Sequence, residues 1–151
     1  MEKKNIASQV VLKHSVKTTL NGLMAVTGIV PEQLMQKAKE LNLTVTDKQI
    51  WQYTGSDGQP ETQFLLDICL PIEKAKGDPT PFEFDVLPPS TVVSHHHQGA
   101  WNRMGETYQK IIGEIQQKGL VMNGISREIY LNCDFENQEN CLTEIQVSIN
   151  D

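Results

Sequence analysis

Two short segments carry side chains suited to holding an organic cation. Trp51 and Tyr53 stand two residues apart, and so do Glu128 and Tyr130. Residues two apart on a strand point to the same side, so each pair presents its groups together. A carboxylate among aromatic faces loses hydration and gains strongly from a cationic partner, which the rings also attract. A dry surrounding raises the pKa of such a carboxylate. The competing role for Glu128 is a strand glutamate paired with a surface Lys or Arg. Three further aromatics belong to the candidate site. Trp101 starts a helix and reaches the cleft edge, Tyr108 lies on that helix's apolar stripe, where core packing competes, and Phe64 is core or cleft floor.

Other chemistry has less support. In His95-His96-His97 only His95 and His97 share a strand side, and no third ligand stands at useful spacing, although His14 could come near. The expectation is ordinary strand-end histidines and no metal. The sequence has no GxSxG elbow, phosphate loop, GxGxxG fingerprint or HExxH helix, and no cofactor is expected. Cys69, Cys133 and Cys141 make an odd count without CxxC spacing, which reads as reduced thiols, although Cys133 and Cys141 could pair across a loop.

The elements that must position these groups follow from spacing. Residues 9–16 read as a strand that 23–27 continues, until Gly28 breaks it. Pro31 opens a helix in which Leu34, Met35, Ala38 and Leu41 recur at helical spacing, ending near Asn42. Residues 49–54 and 61–72 read as strands around a turn at 55–60, with Phe64, Leu66, Ile68 and Leu70 alternating in the second. A linker spans 74–81. Residues 82–87 and 90–97 are extended, and 101–118 form the strongest helix, with Trp101, Met104, Tyr108, Ile111, Ile112 and Ile115 as its stripe and Gly119 as its stop. Residues 126–133 and 141–149 are strands around a polar loop at 134–140.

Sliding the chain by 77 positions lays its halves on each other without a gap. Tyr53 falls on Tyr130, Trp51 on Glu128, Leu34 and Met35 on Ile111 and Ile112, Gly22 on Gly99, and Met24 on Trp101. Agreement of helix, turn and strand positions in one register marks a duplication. The expected fold is α+β: duplicated strand-helix-strand-strand units, about 6–76 and 80–150, forming one domain over 1–151. Six antiparallel strands would carry both main helices on one face. Ile129 and Leu131 suit helix packing, so Trp51, Tyr53, Glu128 and Tyr130 are expected on the opposite face, at the pseudo-twofold axis.

The chain's 151 residues and 38% apolar content suit one globular domain. A net charge of −6 argues against general affinity for nucleic acid phosphates. Neither a signal peptide nor a membrane-spanning run is present, and the expected location is the cytoplasm.

The sequence resembles the GyrI-like (gyrase-inhibitor-like) small-molecule-binding domains, which also serve as effector-binding domains of bacterial multidrug-responsive transcription activators. Three stretches carry the likeness: Val92-Val93-Ser94-His95-His96-His97-Gln98-Gly99-Ala100-Trp101 followed by Tyr108, then Arg127-Glu128-Ile129-Tyr130-Leu131, then Thr143-Glu144-Ile145-Gln146-Val147. The resemblance implies a duplicated fold and an aromatic cleft whose acidic residue meets cationic lipophilic compounds. That role falls on Glu128, with Tyr130 beside it and Trp101 more loosely. Regulators of the family carry a DNA-binding region before this domain. None precedes it here, so the expectation is a binding module rather than a DNA-binding activator.

The expected function is capture of amphipathic, cationic small molecules, to sequester them or report them to a partner, either a separate regulator protein or a second copy of the chain. Two alternatives follow from the resemblance. One is hydrolysis of strained cyclopropanoid compounds, with Glu128 as general base and Tyr130 as donor. The other is inhibition of DNA gyrase, for which no contact surface is evident.

Overall fold

Alternating apolar strands and two amphipathic helices assemble into one antiparallel sheet with both main helices on one face. The computed structural model describes residues 1–134 and 136–150. Its strands are β1 (Glu2–Ile6), β2 (Gln9–Thr18), β3 (Ile50–Thr54), β4 (Phe64–Pro71), β5 (Glu83–Leu87), β6 (Ser90–Gln98), β7 (Val121–Asn132) and β8 (Leu142–Asn150). Its helices are α1 (Leu23–Thr27), α2 (Val30–Glu40) and α3 (Met104–Gln117), the last preceded by a 3-10 turn at Trp101–Arg103.

The duplication is visible in this order. The units β2-α2-β3-β4 and β6-α3-β7-β8 occupy the sheet symmetrically, in the order β1-β6-β8-β7-β3-β4-β2-β5. Helix burial keeps the 77-residue offset: Thr27, Val30, Leu34 and Ala38 are buried, as are Met104, Thr107, Ile111 and Ile115. Both helices also stop in the same way. Asn42 (φ 55°) and Gly119 (φ 70°) take the left-handed conformation. In each case the next residue bonds back into the last turn, Leu43 N–H to Ala38 at 2.9 Å and Leu120 N–H to Ile115 at 3.0 Å.

Three expectations are corrected. The sheet has eight strands rather than six, because β1 and β5 add an edge strand at each end. Residues 23–27 form α1 rather than prolonging a strand. Met35 is exposed, not part of the buried stripe of α2.

The edge strands explain the shape of the sheet. β1 and β2 are six steps apart in the sheet order, which in a flat sheet is roughly 29 Å. Only Ala7 and Ser8 join them, and three Cα steps reach at most about 11 Å. Pro88 and Pro89 join β5 to β6 under the same constraint. Ile6 pairs with Ser90 and Gln9 with Leu87, so the two corners run side by side. The sheet must therefore curl until its ends meet, and the face without helices turns inward. Val11, Ile50, Cys69, Leu87 and Ile129 cluster there. This overturns the expected facing of β7: Ile129 lies inside the curl and not under a helix.

A polar row crosses that inner face, including Asp67, Gln52, Arg127 and Gln146, all buried. Arg127 donates from Nε to Oε1 of Gln52 at 2.8 Å, while its Nη1 has no partner. Burial lowers its pKa. Among the described residues no Asp or Glu pairs with it, and a buried cation of this kind adds little to stability. Arg127→Met is expected to be neutral or stabilising, whereas Gln52→Leu, which strips an acceptor from the guanidinium, should cost about 1–3 kcal/mol. Urea unfolding reads both.

Candidate functional site

The symmetry places the centre of the site. β3 and β7 pair antiparallel, with Ile50 opposite Ile129 and Trp51 opposite Glu128. Trp51 and Glu128 are also equivalent by the 77-residue offset. In an antiparallel pair of equivalent strands only one opposed couple is also an equivalent couple, so the pseudo-twofold axis passes between these two side chains.

Both point toward the helices. Tyr53 packs in the core cluster that holds Leu34 and Ala38 of α2, and Trp51 borders it. Glu128 is met by a hydroxyl from α3. The expected placement on the face away from the helices is therefore wrong: the group lies on the helix-bearing face, where the two units meet. Strand alternation grouped these residues correctly but does not say which side a helix covers.

Glu128 is 9% exposed, and three tyrosines donate to it. Tyr108 Oη lies 2.6 Å from Oε2, and Tyr130 and Tyr53 Oη lie 2.8 and 3.3 Å from Oε1. Burial pushes the Glu128 pKa up, against the lowering effect of these hydrogen bonds and of nearby His97. Burial first, then the adjacent carboxylate, also raises Tyr53, Tyr108 and Tyr130, which therefore stay hydroxyl donors. Among the described residues no Lys or Arg pairs with Glu128.

The rings pack around this centre. Trp51 meets Tyr130 edge-on with centroids 5.4 Å apart, and Trp101 does so from the start of the second unit's helical segment at 6.2 Å. Phe64, 3% exposed, backs Tyr53 from the core at 5.4 Å. Tyr108, for which packing competed, reaches Glu128 across twenty residues of chain.

His97 was missed as a positioning group. Its Nε2 lies 2.9 Å from the Ala100 carbonyl and its Nδ1 2.7 Å from Thr107 Oγ1. A carbonyl only accepts, so Nε2 donates to Ala100, while Nδ1 and the Thr107 hydroxyl share the second hydrogen bond. The ring thus pins the first turn of α3, which carries Tyr108, beside the turn of Trp101. Its signal in the sequence was its shared strand side with His95 beneath an amphipathic helix. Among the described residues no three His, Cys, Asp or Glu side chains gather as a metal set. Cys69, Cys133 and Cys141 are all free. No helix among the described residues is long and apolar enough to cross a membrane.

A curled antiparallel sheet built from two strand-helix-strand-strand units, with a buried carboxylate where they meet, defines a class of duplicated α+β domains. The family model for the GyrI-like small molecule binding domain matches residues 9–150, and the chain belongs to that family. Solved structures share the fold. The C-terminal domain of EcmrR is 18% identical with a TM-score of 0.81, covering 99% of this chain and 96% of that one. Against EcmrR in its DNA complex (18% identity, TM-score 0.82, 99% of this chain), the match spans only 57% of that chain. SAV2435, solved bound to tetraphenylphosphonium, is 16% identical with a TM-score of 0.66, covering 99% and 93%. A hydrolase from Listeria innocua is 14% identical with a TM-score of 0.68, covering 99% and 91%. Among curated proteins none matches this chain.

Proposed function

We propose that this domain captures amphipathic organic cations between its two helical segments, with the charge held by Glu128 and the apolar parts by Trp51, Tyr53, Tyr130, Trp101 and Tyr108, backed by Phe64. One observation carries the reading: a buried carboxylate receives three hydroxyl donors and, among the described residues, no Lys or Arg. Such a group remains electrostatically unsatisfied, because neutral donors do not cancel its charge. A ligand cation would supply what the protein withholds, and aromatic faces would add cation–π attraction. The tetraphenylphosphonium bound by SAV2435 belongs to this chemical class. In this reading residues 1–151 act as one domain whose units take about 6–76 and 80–150. The captured compound is sequestered or reported to a regulator protein or a second copy of the chain.

The test uses two ions of similar size and opposite charge. Tetraphenylphosphonium should quench the fluorescence of the chain's two tryptophans, which both pack on Tyr130. Tetraphenylborate should bind at least roughly a hundredfold more weakly, since it would set an anion against a buried carboxylate. Equal affinities would remove the charge role.

The raised basicity of Glu128 also favours a second reading, general-base hydrolysis of strained electrophiles. Consumption of a cyclopropanoid compound beyond one equivalent, lost in Glu128→Ala, would support it. Stoichiometric binding without product would oppose it.

A further inference from the structure

The pseudo-twofold axis through Trp51 and Glu128 implies a second half-site, related to the carboxylate half. The shared offset identifies its members. The buried positions Thr27, Val30, Leu34 and Ala38 of the first unit match Met104, Thr107, Ile111 and Ile115 of the second. Within that register Pro31 stands where Tyr108 stands, Met24 where Trp101 stands, and Trp51 where Glu128 stands. The two halves are thus alike in backbone and unlike in chemistry. The second unit supplies the carboxylate, a hydroxyl from its helix and a ring from its 3-10 turn. The first supplies an indole, a proline and a thioether. Tyr53 retains a hydroxyl there, but it is turned to Glu128.

Met24 adds an independent observation. Trp101, its counterpart, packs edge-on against Tyr130, whereas Met24 is 80% exposed, the most exposed large apolar side chain described. It sits on α1, a five-residue helix with Gly22 and Gly28 at its ends and no side-chain cap. A flexible, polarisable thioether exposed to water at the position equivalent to Trp101 is suited to repacking on ligands of varied shape.

We propose that Met24, Pro31 and Trp51 form an apolar half-site that takes the hydrocarbon part of a ligand whose cationic group lies at Glu128. This rests on the reading of Glu128 given above and adds the ligand's shape and direction: an elongated cation with its charge at one end, bound in one orientation.

Methyltriphenylphosphonium and hexyltriphenylphosphonium provide the test, because they share a charged head and differ in tail. The wild-type chain should bind the hexyl compound at least tenfold more tightly; full burial of one methylene is worth roughly fourfold. In Met24→Ser, a change at an exposed position, the tail advantage should fall below about threefold. In Glu128→Gln both compounds should weaken together, with the tail advantage retained. The ¹³C-methyl resonance of Met24 should shift with the hexyl compound and stay in place with the methyl compound, with Met35 and Met122 as internal references. A full tail advantage in Met24→Ser, with Glu128 still required, overturns the half-site alone. Failure of either compound to bind the wild-type chain overturns the reading of Glu128 and the half-site with it.

Discussion

Glu128→Gln should lower affinity for tetraphenylphosphonium by about ten- to a hundredfold, or about 1.4–2.8 kcal/mol, the range of one charge-assisted contact. The amide preserves the shape of the side chain, and its oxygen still accepts from Tyr108, Tyr130 or Tyr53. Only the charge and one acceptor are lost. Tetraphenylborate should bind the variant better than the wild type, because the repelling carboxylate is gone. The same substitution should raise thermal stability at neutral pH. The folded-state pKa of Glu128 lies above its ordinary value because burial disfavours the anion. A group of this kind contributes stability that is fully present below its unfolded-state pKa and lost as pH rises through the folded-state pKa. The variant should therefore outlast the wild type above that window and match it at pH 4. Isothermal titration with both ions and melting curves across pH check the two halves of this expectation. Lost binding with gained stability is the pattern of a site kept for function at a cost in stability.

Cation affinity should rise with pH, by up to tenfold per pH unit, until the solution passes the pKa of Glu128 in the free protein, and then level off. Below that point the carboxyl is protonated, and a cation binds only by displacing the proton, so one proton is released per cation bound. Above it the anion already waits. The groups facing Glu128 do not reverse the sign: Tyr53, Tyr108 and Tyr130 are pushed up by burial and by the carboxylate itself, so they remain neutral throughout. His97 lies on the same face of the sheet, in register with Thr143 and Tyr130, and loss of a positive charge there as pH rises would act in the same direction. Titrations in buffers of different ionisation enthalpy, from pH 4.5 to 8, measure both the affinity and the released proton. A flat profile in Glu128→Gln assigns the slope to this residue.

The grouping of Trp51, Tyr53, Glu128 and Tyr130 was legible because two local rules meet there, strand alternation and the 77-residue offset. Their facing was not. Alternation separates Glu128 from Ile129 without saying which of them a helix covers, and the curl of the sheet buries both sides of β7. The curl itself comes from β1 and β5. Glu2–Ile6 is rich in charged and polar residues, as edges commonly are, and so resembles solvated loop in composition, whereas 82–87 was legible as extended but lies outside the repeated unit that set the expected strand count. The five residues of α1 are too few to show a helical period, and Val26 and Thr27 favour a strand by propensity. Tyr108 was legible only as a stripe residue, because its bond to Glu128 joins a helix to a strand and leaves no local signature.

Carbon-13 NMR of the Glu128 side-chain carboxyl, followed through a pH titration with and without saturating tetraphenylphosphonium, reports the state of that group directly. The free protein should show a midpoint above the ordinary glutamate range, and the bound cation should pull it down. A midpoint in the ordinary range, or one that the cation leaves in place, would contradict a buried carboxylate serving as the ligand's countercharge.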